Sequence, residues 1–381
     1  MRSFECRFGS RASTRRLTSV PQTLHLFFFV AATKAALDSF ETMDLERHDV
    51  GDDDVGFDLA YCGMCHTDVH FAQNDMGVSQ YPLVLGHELI GVVNEVGKNA
   101  AAKGYAVGDK VAVGCLVDSC LSCAFCDKGE EMYCAKGMVG TYGSTTQHGR
   151  AGPNGKQTMG GYSTKMVVNE RFLIRVPEGA HDKLDKAAPL LCAGITMYDP
   201  LMEFGVKPGM KVGIAGLGGL GQMGVKLAHK MGAEVTAIST TSSKEARAKE
   251  MGADHFLLST DAAAMQAAAG TLDLILDTVS ACHDSDPYAA LLATKGTLVC
   301  IGLQTSNVSV GCHRMLFKRI NVTGSLIGGI QRTQEMIDFC VKNDIYPEVQ
   351  VINASEIPEK LQLLNTKNDT IVRYVIDCKT I

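Results

Sequence analysis

KVGIAGLGGLGQMGVKLAHKMGAEVTAIS, residues 211–239, decides how the second half of this chain folds. An apolar run enters a glycine-rich turn, an amphipathic stretch follows, and a second apolar run closes the unit. Residues 216–221, GLGGLG, fit G-x-G-x-x-G. Alone that pattern is weak, because glycines gather in many turns. Between a strand and a helix it points to a dinucleotide. Gly216 permits the tight turn, Gly218 lets a pyrophosphate approach the backbone, and Gly221 allows close helix packing. Gly219 and Leu220 open the helix, whose free N–H groups and positive dipole end suit phosphates.

The texture on either side differs. TLDLILDTV (271–279) and GTLVCIGL (296–303) are continuous apolar runs separated by helix-like stretches, as in a parallel sheet covered on both faces. Upstream, from about residue 28 to 190, short Val- and Ile-rich runs are cut by Gly and Pro; YPLVLGHELIGVVNEVG (81–97) and VGDKVAVGCLV (107–117) are examples. These read as short strands with tight turns. DIYPEVQVIN (344–353) and IVRYVID (371–377) return to that pattern around a short helix. The predicted organisation is an extension over 1–30, a β-rich domain over 31–192, a doubly wound parallel-sheet (Rossmann) domain over 193–329, and a return to the first domain over 330–381.

With 381 residues, 46% of them hydrophobic, the chain can build two or three cores. Net charge is −6, and residues 1–30 hold five Arg against one Glu, which leaves −10 on the rest. A body that acidic repels phosphate backbones, which argues against nucleic-acid partners. The first 32 residues, rich in Arg, Ser and Thr and almost free of acid, resemble an organellar transit peptide. Their apolar run LFFFVAA is too short to span a bilayer. The alternatives are an unstructured extension or the start of the first strand. The reading is a cytoplasmic protein, or a plastid or mitochondrial one if residues 1–30 act as a targeting segment.

Which dinucleotide binds is decided where the second apolar run ends, in Ser239, Thr240, Thr241, Ser242, Ser243 and Lys244. An NAD site would hold Asp or Glu there, on the ribose hydroxyls. Small hydroxyls and a lysine suit a 2′-phosphate instead, so NADP(H) is expected, with Glu245 as the contrary sign.

The fourteen cysteines crowd rather than spread, which speaks for metal in a reducing compartment. CLSCAFCDKGEEMYC places Cys120, Cys123, Cys126 and Cys134 at C-x2-C-x2-C-x7-C. Four thiolates on one lobe can close a tetrahedral zinc shell, with Zn–S about 2.3 Å and no open position, so such a site folds and stiffens. An iron–sulfur cluster is the alternative. A catalytic zinc needs three ligands and an open place. Cys65 in CGMCHTDVH, His87 with Glu88 in GHE, and Cys192 in PLLCAGIT are candidates, although sequence spacing alone cannot bring them together.

These motifs, in this order and spacing, strongly resemble the zinc-dependent medium-chain alcohol dehydrogenases, nearest the cinnamyl alcohol dehydrogenase and NADPH aldehyde reductase group. The likeness runs from about residue 30 to the C-terminus. It implies a GroES-like β-rich catalytic domain beside the Rossmann domain. It implies catalytic zinc on Cys65, His87 and Cys192, with Glu88 able to approach it, and structural zinc on the four lobe cysteines. Cys62 is then a packed strand residue, not a redox partner of Cys65. Thr67 matches the hydroxyl beside the reacting oxygen, and His70 with Asp75 match a proton relay toward solvent. Thr196, Leu217, Thr278, Ser325 and Arg373 match cofactor contacts. The implied reaction moves hydride between NADP(H) and a primary alcohol or aldehyde, in a homodimer with no membrane partner.

One departure bears on specificity. Lignin-type members carry a pocket tryptophan where this chain has Val139, and the chain has no tryptophan at all. A broad aldehyde reductase is therefore expected over a dedicated cinnamyl enzyme. The rivals are an NAD-dependent polyol or formaldehyde dehydrogenase, and a non-enzymatic zinc-stabilised binding protein.

Overall fold

The computed structural model describes residues 27–31, 40–304, 307–366 and 372–381. The targeting expectation for residues 1–30 falls almost wholly outside them. Phe27–Ala31 and Phe40–Asp44 form a separate antiparallel pair.

The sheet that continues from GLGGLG has six parallel strands in the order His255–Leu258, Glu234–Ser239, Lys211–Ala215, Leu272–Asp277, Leu292–Cys300, Asn321–Gly324. The chain order reverses between Lys211–Ala215 and Leu272–Asp277, which opens a crevice beyond their C-terminal ends. Gly216 and Thr278 stand there, one residue past each strand. The inner strands are apolar on both faces, with Val212, Ile214, Leu274, Ile275 and Leu276 all fully buried. That explains why they read as unbroken hydrophobic runs.

The second sheet has seven strands: six in the order Val349–Ile352, Arg373–Asp377, Asp54–Gly63, Leu89–Val96, Lys110–Val113, Ile174–Arg175, and a seventh, Lys165–Asn169, that pairs with Asp54–Gly63 off that path. The last part of the chain adds Val349–Ile352 and Arg373–Asp377 to this second sheet. It does so through two helices rather than one, Ile330–Lys342 and Ile357–Thr366. Ile330–Lys342 buries Met336, Ile337 and Cys340 against the core shared with helix Ala193–Glu203. Cys62 lies in register with Ile376 and Leu89 and has no exposed surface, so it is a packed strand residue.

Candidate active site and cofactor crevice

Strand Asp54–Gly63 ends against helix His66–Gln73, and Cys65 is the residue that caps it. Asp68, three positions on, accepts from the Cys65 backbone N–H at 2.8 Å through Oδ2. Its Oδ1 accepts from Gly86 N at 3.1 Å and faces His87 Nδ1 at 3.8 Å, and Tyr162 donates to Oδ2 at 3.0 Å. One buried carboxylate therefore ties both turns that present Cys65 and His87. Gly86 needs its positive φ of 98° to reverse the chain, and a Cβ there would strike Tyr162 and Cys62 Sγ. Tyr142 stacks on the His87 ring at 5.6 Å. From the other side, Cys192 ends the turn Ala188–Leu191 and starts helix Ala193–Glu203.

Ligand atoms of Cys65, His87, Glu88 and Cys192 all lie within 4.8 Å of one another, and all four residues are buried. The two sulfurs are 3.7 Å apart. Cys65 falls well below the ordinary thiol range because Cys192 donates to it and His87 adds positive charge. Cys192 rises well above that range, because its one proton is shared between the Cys115 and Cys65 sulfurs and the group is buried. His87 Nε2 and Glu88 Oε2 are buried without hydrogen-bond partners among the described residues. Two soft sulfurs, a ring nitrogen with an idle lone pair and a nearby carboxylate fit zinc, and the Asp68 carboxylate faces the other nitrogen of that ring at 3.8 Å. Gly63 is required here, because a Cβ would collide with Glu88.

Glu88 is also the partner of Arg373, with which it forms a buried ion pair. Burial pushes the Glu88 carboxyl up, and the Arg373 cation opposes that shift. The Arg373 side chain reaches on to the glycine turn, where a Cβ at Gly219 would lie 2.7 Å from its Cδ and Nη1. Arg373 thus touches the metal-site carboxylate and the helix opening at once.

At that turn Gly216 has φ 87°, Gly221 sits so close to the Gly216 carbonyl that no Cβ fits, and the space above Gly218 is open. Leu217 is 2% exposed, so only its main chain can face a ligand. Leu220 packs its side chain on the core. Thr278 donates to the carbonyls of Ala215 at 2.8 Å and Gly216 at 3.3 Å, so its hydroxyl braces the turn. The Thr196 hydroxyl is buried without a partner among the described residues, as is Arg373 Nε. Ser325 joins the same end of the sheet through its N–H to Cys300 O at 3.2 Å. Ser239 ends its strand and accepts from Thr241 N at 3.2 Å, Thr240 is exposed, and Lys244 closes the short turn Ser242–Lys244. An open backbone cradle at a helix N-terminus, with idle hydroxyl and guanidinium donors around it, fits a dinucleotide.

Within reach of that cluster of side chains, the Cys65 thiol is 3.6 Å from Thr67 Oγ1. Further along the helix His70 Nδ1 and Asp75 Oδ2 are 2.9 Å apart, with Asp75 about one third exposed. The pair sits where that helix ends in the left-handed turn at Asn74.

Cys120, Cys123, Cys126 and Cys134 bring their sulfurs within 4.8 Å of one another. All four are free thiols. Backbone N–H groups of Cys126 and Ala135 hold Cys123 down at about 6, and Ala135 N lies 3.4 Å from its sulfur. Burial pushes Cys126 up to about 11. A four-sulfur cage already supplied with N–H donors fits a closed zinc site.

Val139 departs from the sequence expectation. It pairs with Asp118 in the short ladder Leu116–Asp118/Val139–Gly140 and has no exposed surface. Its side chain belongs to the core beneath the second, seven-stranded sheet, not to an open pocket. Asp68, Tyr142 and Tyr162 are site residues that the sequence reading missed. Asp68 had a signal, an acid three residues after a capping Cys65; the tyrosines had none.

Comparison with known proteins places this geometry. Residues 51–178 match the family profile described as alcohol dehydrogenase GroES-like domain, and residues 219–342 match zinc-binding dehydrogenase. A probable formaldehyde dehydrogenase of Bacillus subtilis is 42% identical over 352 residues, 92% of this chain and 98% of that protein. A cinnamyl alcohol dehydrogenase structure from Sorghum bicolor superposes with TM-score 0.87 at 38% identity, covering 93% of this chain and 98% of the other. One from Helicobacter pylori, complexed with NADP(H), gives 0.83 at 38%, with the same coverage.

Proposed function

The chain belongs to the zinc-dependent medium-chain alcohol dehydrogenases, and from that premise we propose an NADP(H)-dependent enzyme that interconverts aldehydes and primary alcohols with broad specificity. The observation that carries this reading is the placement of Arg373 against both Glu88 and Gly219, which sets the Cys65–His87–Cys192 cluster next to the dinucleotide crevice. We divide the chain as an extension over 1–30, a GroES-like catalytic domain over 31–192 with 330–381, and a Rossmann domain over 193–329.

Zinc held by Cys65, His87 and Cys192 supplies a Lewis acid for a carbonyl or alcohol oxygen, and bound NADP(H) supplies or takes the hydride. The protein's own part is orientation and proton handling. Asp68 holds the Cys65 turn and faces the His87 ring at 3.8 Å; Arg373 holds the Glu88 carboxylate beside the residues that would bind the zinc. Thr67 sits where its hydroxyl can exchange a proton with substrate, and the His70–Asp75 pair carries that proton outward. Thr196 offers its idle hydroxyl to the cofactor, the backbone of 216–221 receives the pyrophosphate, and Thr240, Thr241 and Lys244 receive a 2′-phosphate. The four lobe cysteines hold a second zinc, which stiffens the fold.

Glu245 was the contrary sign for NADP(H). Its carboxylate accepts from Lys249 at 2.7 Å along its own helix, which supports a salt-bridge role rather than ribose binding. A homodimer suits the exposed Met315, Leu316 and Phe317 beside the edge strand Asn321–Gly324. Among the described residues no helix is long and apolar enough to cross a membrane. Initial rates over a panel of aldehydes with NADPH and with NADH test the reading; no turnover of any aldehyde with either cofactor would overturn it.

A further inference from the structure

Between the edge strand Asn321–Gly324 and helix Ile330–Lys342 the chain crosses from the nucleotide sheet back toward the catalytic half. Ser325, the expected cofactor contact, begins this crossover. Two side chains of the four-cysteine lobe grip it. The Tyr133 hydroxyl accepts from Leu326 N at 3.1 Å, and Glu131 Oε2 accepts from Ile330 N at 3.1 Å. Glu131 is 9% exposed and stands at the N-terminal end of a 13-residue helix, where a carboxylate is favoured by the unpaired N–H groups and the dipole.

The segment between these grips is tightly fixed. A Cβ at Gly329 would collide with the Gly129 carbonyl and Glu131, and one at Gly328 would meet Ile195 at 2.6 Å and Asp199 at 3.2 Å. Ile327 has φ 39°, a left-handed conformation that a β-branched residue keeps only where its surroundings hold it. Its side chain is buried in the catalytic half's core, although its backbone directly follows the nucleotide sheet. Beside the grips runs a cleft of about 370 Å³ between lobe and sheet, lined by Lys128, Tyr133, Thr323 and Ser325 among others. On this side, therefore, the two halves meet through Tyr133 and Glu131 next to a gap.

We propose that Tyr133 and Glu131 are positioning residues for the cofactor: the lobe sets the crossover, and the crossover sets Ser325 at the nicotinamide end of the crevice. The proposal rests on the nicotinamide-dependent function proposed above. It gives the four-cysteine lobe a task in turnover besides its contribution to folding.

Tyr133→Phe removes one hydroxyl and Glu131→Gln one charge, so both variants leave the sulfur cage intact. Each is prepared as holoenzyme with the unaltered protein's zinc content. Cofactor dissociation constants are read from the cofactor's own fluorescence, which no tryptophan competes with, alongside KM for cofactor and aldehyde and kcat. Each variant should weaken cofactor binding about threefold and the double variant about tenfold, the scale of one hydrogen bond lost at Tyr133 and one carboxylate–helix-terminus interaction lost at Glu131. KM for cofactor should rise in step, and KM for aldehyde should hold. A lower melting temperature with unchanged cofactor binding would overturn the proposal, because a purely structural lobe gives that result. The comparison uses whichever nicotinamide the unaltered protein binds. A preference for NADH would therefore remove only the NADP(H) assignment.

Discussion

Arg373, on the last strand, donates to the carboxylate of Glu88, which follows the metal-site residue His87. Both are buried, and 285 residues separate them in sequence. Breaking a buried pair by removing one partner costs about 3–5 kcal/mol. The two removals should not cost the same. Burial pushes the Glu88 carboxyl upward and Arg373 opposes that shift, so Glu88 can take a proton when Arg373 is lost. A guanidinium cannot shed its proton. Glu88→Gln should therefore destabilise more than Arg373→Met in urea unfolding at pH 7. Equal costs, or the reverse order, would show that the neighbouring thiolates and not Glu88 balance Arg373.

The two sulfur-bearing clusters predict two zinc per chain by elemental analysis. Cys192→Ala should lose one zinc and nearly all turnover while remaining folded, since its neighbours Cys65 and His87 are held by Asp68. Cys123→Ser should lose the other and unfold at lower temperature, because structural metal contributes folding free energy directly. Full activity in Cys192→Ala would remove the catalytic assignment.

How far sequence reaches here follows the range of the interaction. The strand–turn–helix around GLGGLG and the lobe at 120–134 are local, and their patterns were legible as written. Cys65, His87 and Cys192 are separated by 22 and 105 residues, so only family resemblance could join them before the sheets did. The Asp68 carboxylate serves two turns at once and Tyr133 reaches Leu326 across the chain, contacts that leave no periodic trace. Val139 failed for the opposite reason: a motif offset says nothing about which face of a two-residue strand it occupies.

Cofactor choice can be read at Thr240, which is exposed just past the strand Glu234–Ser239. Thr240→Asp places a carboxylate where a 2′-phosphate should lie. KM for NADPH should rise at least tenfold, a repulsion of about 1.4 kcal/mol or more, while KM for NADH stays within about twofold. Equal use of both cofactors by the unaltered protein would contradict the assignment of this turn.

Acid stability offers a check on the region beyond the nucleotide sheet. Arg314 holds the Asp286 carboxylate at 2.8 Å, and Gly311 N adds a second bond, which together bring its pKa down to about 2. A depressed carboxylate stabilises the fold above its unfolded pKa near ~4, and that contribution is lost only as pH falls toward 2. Both side chains are more than a quarter exposed, so screening reduces the contribution to about 1 kcal/mol. Asp286→Asn should lower stability by that amount, with a gap that stays constant from pH 7 to pH 5. A gap that closes above pH 5 would assign the loss to another group.

Substrate breadth is the remaining consequence of a chain without tryptophan. A ring stacked on tryptophan gains about 0.5–1.5 kcal/mol beyond area burial, and this chain has no tryptophan to offer it. Hydride transfer needs only the carbonyl end of the substrate, so aliphatic aldehydes lose little by comparison. The kcat/KM for cinnamaldehyde should exceed that for a medium aliphatic aldehyde by less than about tenfold, or roughly 1.4 kcal/mol. The burial of Val139 changes what its replacement should do. Val139→Trp must force a large ring into a packed core beneath the ladder Leu116–Asp118/Val139–Gly140, and overpacking of that kind costs about 1–3 kcal/mol or more. The variant should therefore melt at lower temperature with the same ratio between the two aldehydes. A stable Val139→Trp protein that turns strongly toward cinnamaldehyde would mean that the core here opens, and that the position does face substrate.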